Sequence, residues 1–287
     1  MTETQATQRN DDQAAASPGP VFASILCAVD GTRGSSAAVK QAATLAGPDG
    51  HLTLLAVTAV TGSGAYRSAA ISPARVKHLL DHAAEVAEEA GVPSTLVVDP
   101  ASPPSQVILD RAAQHDLLAM GAPVTSWLGG MFIGGVTEAA LGSFTTPLLT
   151  ARSIPAGYDF PLSIVVASDG SDGSDHLVDL AARLAHAKGA NVTLVHAIEV
   201  ESRAQPQRID EQARRLELAV DGRSEVRLQA GSAREVIVEA AKSAKASLVV
   251  MGSRRLDGLR ALGSVSRRVV HEAHCSVLLL PPEHLDG

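Results

Sequence analysis

The chain has 287 residues, of which 45% are hydrophobic and 19% are charged. This composition excludes a disordered protein, and the length predicts about two domains that each bury a core of their own. The net charge of −7 argues against general binding to nucleic acid or to an anionic membrane surface.

The cysteines and the N-terminus indicate the cellular setting. Cys27 and Cys275 form no C-x-x-C pair, so we expect core thiols, no disulfide and a reduced, cytoplasmic protein. Residues 1–20 are small and polar without a signal-peptide pattern, and they are predicted to be a disordered tail. No apolar run approaches the roughly 18 residues of a membrane-spanning helix, so we expect no membrane segment.

The chain contains an internal repeat. The segment SILCAVDGTRGSSAAVKQAATLA at 24–46 aligns without a gap with SIVVASDGSDGSDHLVDLAARLA at 163–185. Three further pairs follow in the same order: HLTLLAV with NVTLVHA, DLLAMGAP with SLVVMGSR, and FTTPLLTA with HCSVLLLP. Prolines and a glycine between the halves are typical of a linker. We therefore predict a first domain at 21–151, a linker at 152–161 and a second domain at 162–287.

Each half alternates apolar strands with helices. In the first half, strands are expected at 25–29, 53–57, 96–98, 117–120 and 147–150, with helices at 73–90, 104–114 and 135–142. A further helix follows the first strand, and Ser35 or Ser36 is its predicted N-cap. In the second half, later strands are expected at 192–197, 226–229, 248–251 and 276–280, with helices at 207–220, 233–244 and 264–273. This alternation predicts a parallel sheet covered on both faces.

Two turns per half are candidates for ligand binding. Asp30-Gly31 and Asp169-Gly170 follow the first strand of each half, while Gly121 and Gly252 follow the fourth. If the first and fourth strands are neighbours, these turns meet at the carboxyl edge of the sheet, where α/β folds bind ligands. An aspartate there accepts hydrogen bonds from a ribose or base, and glycines let backbone N–H groups approach a phosphate. An ordinary Asp-Gly turn is the structural alternative.

The most specific segments are AVDG at 28–31, MGSR at 251–254 and GSVSRRVVHEAHCSVLLL at 263–280. With them the chain resembles the universal stress protein family in its tandem two-domain form, over almost all of 22–281. The resemblance implies two tandem five-stranded parallel-sheet α/β domains of the adenine-nucleotide α-hydrolase-like type. It also implies that the halves pack as an internal pseudo-dimer along their fifth strands; pairing of two chains is a further hypothesis. Its nucleotide-binding members wrap the phosphates with Gly-x-x-Gly, nine residues, and Gly-Ser/Thr.

Carried onto this chain, the resemblance implies an ATP site in the second half, with Mg²⁺ as a companion ion and AMP or cyclic AMP as alternatives. Asp169 and the backbone near Ala197 are expected to contact ribose or adenine. The residues expected along the phosphates are Gly252, Ser253, Arg254, Gly263, Ser264, Val265 and Ser266, with Arg255 as an additional cation. The weaker first-half counterparts are Asp30, Val57, Gly121 and Gly134.

Neither half keeps the glycine pattern intact. In the second half Arg255 stands in place of the second glycine, and seven residues then precede Gly263. Five arginines against one aspartate nevertheless give the stretch 253–268 a charge of +4. The matching stretch 122–137 has no charged residue and contains the only tryptophan, Trp127. Because phosphate favours charge-assisted donors, the second half is the expected site.

The sequence also bears on three alternatives: an interaction scaffold, a metal site and an enzyme. An interaction scaffold that binds no nucleotide is the main alternative, because both halves lack the second glycine. A metal site is not expected, since His78 and His82 lie four residues apart without a third ligand. An enzyme such as a nucleotidyl transferase has the least support, because no His-x-x-His or His-x-Gly-His motif stands at the end of a first strand. The sequence also shows no nucleophile elbow, and no catalytic base can be named. Slow ATP hydrolysis remains compatible with a bound nucleotide.

Overall fold

The protein folds as one mixed sheet flanked by helices. The structure is a computed structural model that describes residues 19–58, 72–122, 135–155, 159–198, 206–253 and 263–285. Within these residues ten strands form a continuous sheet in the order β3-β2-β1-β4-β5-β10-β9-β6-β7-β8. The predicted tail, apart from its last two residues, lies outside the described part of the chain.

The elements alternate as the sequence predicts. The first half contains β1 (Ser24–Ala28), α1 (Arg33–Ala46), β2 (His51–Val57), α2 (Pro73–Glu89), β3 (Ser94–Asp99), α3 (Pro104–Ala112), β4 (Leu117–Gly121), α4 (Val136–Leu141) and β5 (Leu148–Ala151). The second half contains β6 (Ser163–Ala167), α5 (Asp172–Lys188), β7 (Asn191–Ile198), α6 (Pro206–Ala219), β8 (Ser224–Ala230), α7 (Ala233–Ser243), β9 (Leu248–Gly252), α8 (Ser264–Glu272) and β10 (Ser276–Leu280). A 3₁₀ turn at Pro282–His284 follows β10.

The predicted cap of the first helix is wrong. Thr32, not Ser35 or Ser36, is the N-cap of α1, and its side-chain oxygen accepts the backbone N–H of Ser35 at 3.2 Å. The Ser35 and Ser36 hydroxyls instead donate to the Thr32 carbonyl at 3.1 and 3.2 Å. The turn at Asp30 leaves Thr32 with extended backbone, which is the conformation of an N-cap residue.

The first and fourth strands of each half are neighbours, as the ligand-site prediction required. β1 pairs in parallel with β2 and β4, and β6 pairs in parallel with β7 and β9. One core cluster packs the sheet against α1, α2, α5 and α6, and a second packs it against α3, α4, α7 and α8. The carboxyl ends of these strands therefore share one edge within each half.

Both cysteines belong to these cores, which confirms their predicted structural role. Cys27 and Cys275 are free and buried. Burial raises the pKa of Cys27 far above the usual range of a thiol and raises the pKa of Cys275 to about 12. Both thiols therefore stay protonated at neutral pH and are poor nucleophiles.

The two halves join along their fifth strands. β5 and β10 run antiparallel, with Leu149 opposite Leu278 at the centre of the pairing. Gln41 of α1 crosses this junction, because its Nε2 donates to the Arg152 carbonyl at 2.7 Å and its Oε1 accepts the Ser276 hydroxyl at 2.7 Å. The pairing converts two edge strands into central ones, which removes edges open to other chains. Among the described residues, no helix is long and apolar enough to span a membrane.

Candidate functional site

An aspartate turn ends the first strand of each half. In the first half Asp30 is exposed, and its Oδ1 accepts the Thr32 backbone N–H at 2.9 Å and the Thr32 hydroxyl at 2.7 Å. Gly31 follows with a φ of 78°, a left-handed conformation that favours glycine. Within the part of the chain that the structure describes, this carboxylate is therefore held by the residue two positions further along the chain.

The second-half aspartate is held by more groups. Asp169 is half-buried, and its Oδ1 accepts the Ser171 backbone N–H at 3.0 Å and the Ser171 and Ser174 hydroxyls at 2.5 Å each. The Asp169 backbone N–H in turn donates to the Ser174 hydroxyl at 3.1 Å. The carboxylate is thus tied to the first turn of α5 as well as to its own turn.

The residues behind the two turns differ in polarity. In the first half they are Val29, Ala56 and Leu79. The corresponding residues of the second half are Ser168, His196 and Gln212, and all three are buried and hydrogen-bonded. These three residues were not among the positions predicted from the sequence. The signal that could have found them is that an apolar residue of one repeat is polar in the other at three positions that converge on one turn.

The glycines after the fourth strands also have different neighbours. A Cβ on Gly121 would lie 2.8 Å from the carbonyl carbon of Gly34, so the backbones of β4 and α1 are in close contact. In the second half the corresponding pair, Gly173 and Gly252, is separated by Leu285. The Leu285 Cβ lies 3.0 Å from the position that a Cβ on Gly173 would take. The Leu285 Cδ1 lies 2.8 Å from the position that a Cβ on Gly252 would take. The segment after β10 therefore packs beside the predicted site.

The helices that follow these glycines start in the same way. The Thr137 hydroxyl in α4 donates to the carbonyl of Gly121, and the Ser266 hydroxyl in α8 donates to the carbonyl of Gly252, each at 3.0 Å. Both acceptors are the glycines that end the fourth strands. The N-cap residue of each helix is a glycine, and neither helix has a side-chain cap hydrogen bond. The first turn of α4 contains an acid, Glu138, whereas the first turn of α8 contains none.

Comparison with known proteins decides the family. Residues 22–152 and 162–281 both match the universal stress protein family. The chain belongs to that family. It is 38% identical over 133 residues to the universal stress protein in the QAH/OAS sulfhydrylase 3′ region of Thermus aquaticus, a match that covers 41% of this chain and 97% of the relative.

Solved universal stress proteins share the complete tandem fold. The protein from Archaeoglobus fulgidus matches with a TM-score of 0.66 and 18% identity, over 90% of this chain and 98% of that chain. A putative universal stress protein from Pseudomonas aeruginosa matches with a TM-score of 0.64 and 17% identity, over 92% and 95% of the two chains. At these identities the matches establish the fold alone. They confirm the predicted tandem α/β architecture.

The structure brings most family-implied positions of this universal stress protein to one edge. In the second half Asp169 follows β6, Ala197 lies near the end of β7, and Gly252 ends β9. Gly263, Ser264 and Val265 form the start of α8, which the Ser266 hydroxyl joins to the Gly252 carbonyl. In the first half Asp30, Val57 and Gly121 occupy the corresponding ends. Arg254, Arg255, Gly134 and Trp127 lie outside the described residues.

Two predicted phosphate-site serines have structural partners. The Ser253 hydroxyl is buried and donates to the Leu280 carbonyl at 3.2 Å, and the Ser253 backbone N–H donates to the same oxygen at 2.9 Å. The Ser266 hydroxyl is likewise buried, against the Gly252 carbonyl. Both side chains therefore shape the turns between strand and helix.

The described residues contain no group of three His, Cys, Asp or Glu side chains that could hold a metal ion. His78 and His82 are exposed on α2, and the nearest acid to the His82 ring is Glu85 at 3.5 Å.

Proposed function

We propose that this universal stress protein binds one adenine nucleotide, ATP, in its second half and acts through that binding rather than through catalysis. The observation that carries the proposal is the start of α8, where the N-cap Gly263 provides no side-chain hydrogen bond and the Ser266 hydroxyl joins the helix to Gly252, at the end of the strand next to β6. The unpaired N–H groups and the dipole of a helix N-terminus favour a phosphate. A response to stress, a cytoplasmic location and pairing of two chains belong to the same proposal.

Charge favours the second half over the first. The stretch 253–268 around α8 has a charge of +4, and it stays positive after Arg267 has paired with Glu138 of α4, whereas the matching stretch 122–137 has no charged residue. Asp169 is also more firmly held than Asp30, so less conformational freedom is lost when it contacts a ligand. The two differences act in the same direction.

The proposed roles follow the positions of the residues. Asp169 and the backbone near Ala197 would contact the ribose and the adenine. The backbone at Gly252, Gly263, Ser264 and Val265 would line the phosphates, and Arg254 would add positive charge. Ser253 and Ser266 would hold the turn in shape through their bonds to Leu280 and Gly252.

A substitution at the start of α8 tests the site without breaking the fold. Ser264 is exposed, and an acid in the first turn stabilises a helix while repelling a phosphate. Ser264→Asp should therefore weaken ATP binding by about tenfold or more, a change of about 1.4 kcal/mol. Gly135→Asp is the matched control in the first half, because a Cβ there meets nothing within 4 Å.

The measurement is the melting temperature with and without millimolar Mg-ATP, AMP and cyclic AMP. A ligand at about 100 times its Kd should stabilise the protein by roughly 2.7 kcal/mol. We expect a shift for the wild type and for Gly135→Asp, and a reduced shift for Ser264→Asp. Equal shifts for all three proteins would remove the site from α8.

An interaction scaffold is the second candidate function. Arg255 in place of the second motif glycine and the shortened loop favour it. A scaffold predicts the same melting temperature with and without each of the three nucleotides. Neither candidate function includes fast chemistry.

A further inference from the structure

The second-half aspartate turn is supported by a buried polar network, and the corresponding described positions of the first half are apolar. We infer that Gln212 of α6 is a positioning residue for the Asp169–Gly170 turn, and hence for nucleotide binding in the second half. This inference rests on the proposed function. It goes beyond the glycine motif, because Gln212 lies on a helix that the motif does not include.

Gln212 connects the turn to α5. It is fully buried at 0% exposure, its Oε1 accepts the Ser168 hydroxyl at 2.6 Å, and its Nε2 donates to Asp175 Oδ1 at 2.6 Å. The Ser168 hydroxyl also accepts the backbone N–H of Gly170 at 3.0 Å. A single amide group therefore joins the glycine of the turn to a carboxylate of α5.

The far end of the network is fixed by charge. Asp175 is contacted by two arginines of α6, Arg208 at 2.8 Å and Arg215 at 2.8 Å. Arg208 also contacts Asp172 at 2.6 Å. Because these arginines and Gln212 lie on the same helix, the network closes on itself and leaves Asp175 little freedom to move.

A histidine supports the near end. His196 is buried, and its Nδ1 lies 2.9 Å from the Ser168 carbonyl oxygen. Since a carbonyl oxygen only accepts hydrogen bonds, Nδ1 must carry the proton. Ser168, the residue before Asp169, is thus held through its carbonyl by His196 and through its hydroxyl by Gln212.

The first half shows what the network replaces. Counted from the proline that begins each helix, Leu79 of α2 corresponds to Gln212 of α6. Leu79 packs directly on the first-half turn, with its Cδ2 2.5 Å from where a Cβ on Gly31 would lie. Apolar packing is non-directional, whereas hydrogen bonds specify one arrangement. The polar residues therefore specify the conformation of the second-half turn through hydrogen bonds, which the apolar residues behind the first-half turn do not provide.

Gln212→Leu places the first-half residue in the second half and is the primary test. We expect ATP binding, measured by calorimetric titration, to weaken by about tenfold. Ser168→Ala removes the same Ser168–Gln212 hydrogen bond from its other end, and we expect the same loss of ATP affinity. This second variant serves as the test if Gln212→Leu does not fold. Leu216→Ala is the control, since Leu216 is buried on α6 outside the network. It should lower the melting temperature and leave ATP affinity unchanged.

A double-mutant cycle separates positioning from general stability. If Gln212 acts through Asp169, adding Gln212→Leu to Asp169→Ala should cost little further affinity, because coupled residues are not additive. Full additivity would overturn the inference. Amide exchange at Gly170, measured without ligand, should be faster in Gln212→Leu and unchanged in Leu216→Ala.

The outcomes for the two proposals differ. No ATP binding by the wild type contradicts the proposed function, and the inference with it. ATP binding that is equal in the wild type and in Gln212→Leu, with unchanged exchange at Gly170, contradicts the inference alone. Weaker binding in Gln212→Leu together with the non-additive cycle supports both.

Discussion

Glu138 and Arg267 occupy corresponding positions in the two halves and form an ion pair with each other. Glu138 follows Thr137, and Arg267 follows Ser266, the two residues whose hydroxyls bond the carbonyls of the strand-end glycines. His271 of α8 completes the contact, with its Nε2 2.9 Å from Glu138 Oε2. Two identical halves would place like charges together here. Opposite charges at one position therefore adapt the repeat to joining within one chain.

A charge swap tests this contact. Glu138 is largely buried, with 14% of its side chain exposed, so Glu138→Arg should destabilise the protein by about 2 kcal/mol through repulsion from Arg267. The free energy of unfolding in denaturant measures the change. The double variant Glu138→Arg/Arg267→Glu should recover most of the loss, and a double variant as unstable as the single one would contradict the pairing.

The two strand-end glycines should respond differently to alanine. A Cβ on Gly121 meets only backbone atoms, those of Gly34 and Ser35 at 2.8–3.0 Å, so Gly121→Ala should cost about 2 kcal/mol. On Gly252 it meets the tip of the Leu285 side chain, which can rotate away, so Gly252→Ala should cost less than about 1 kcal/mol. Equal losses in thermal unfolding would show that Leu285 is as rigid as backbone.

Gln41 should stabilise the junction between the halves. Gln41→Leu leaves the buried Ser276 hydroxyl without its acceptor and the Arg152 carbonyl without its donor, so we expect a loss of about 2 kcal/mol. Gln106→Leu is the control, because Gln106 is exposed and its side chain hydrogen-bonds Asp110 of the same helix. Equal losses in the free energy of unfolding for the two variants, measured in denaturant, would argue against a role for Gln41.

His271 should make the fold sensitive to mild acid. Burial first, and then the Arg267 and Arg152 guanidinium groups, lower the pKa of His271 below its usual value. Below about pH 6.5 the unfolded chain therefore binds a proton at this position that the folded protein resists, and stability falls as the pH falls. The free energy of unfolding should decrease from pH 7 to pH 5 less steeply in His271→Gln than in the wild type. Equal slopes in the two proteins would contradict this role of His271.

The sequence predicted the strands and their alternation because buried parallel strands are continuous apolar runs that end at glycine or aspartate. The repeat then made the first and fourth strands of one half equivalent to the first and fourth strands of the other. The family resemblance implied that the halves join along their fifth strands. The cap of α1 was misjudged because the Asp30 turn places Thr32, not a serine, at the extended position.

Contacts between distant residues could not be predicted in the same way. Gln41 and Ser276 are 235 positions apart, and nothing local in either segment indicates their bond. Leu285 appears as an ordinary terminal residue until the fold brings it between Gly173 and Gly252. Gln212 is a polar residue on an amphipathic helix, and only the topology places it behind the Asp169 turn.

The most direct test is a calorimetric titration of the whole chain with Mg-ATP. One nucleotide in the second half predicts saturable binding with a stoichiometry of one per chain. That binding should be weakened by Ser264→Asp and retained by Gly135→Asp. A stoichiometry of two, or binding lost in Gly135→Asp instead, would contradict the assignment to the second half, and the absence of any binding would favour the scaffold.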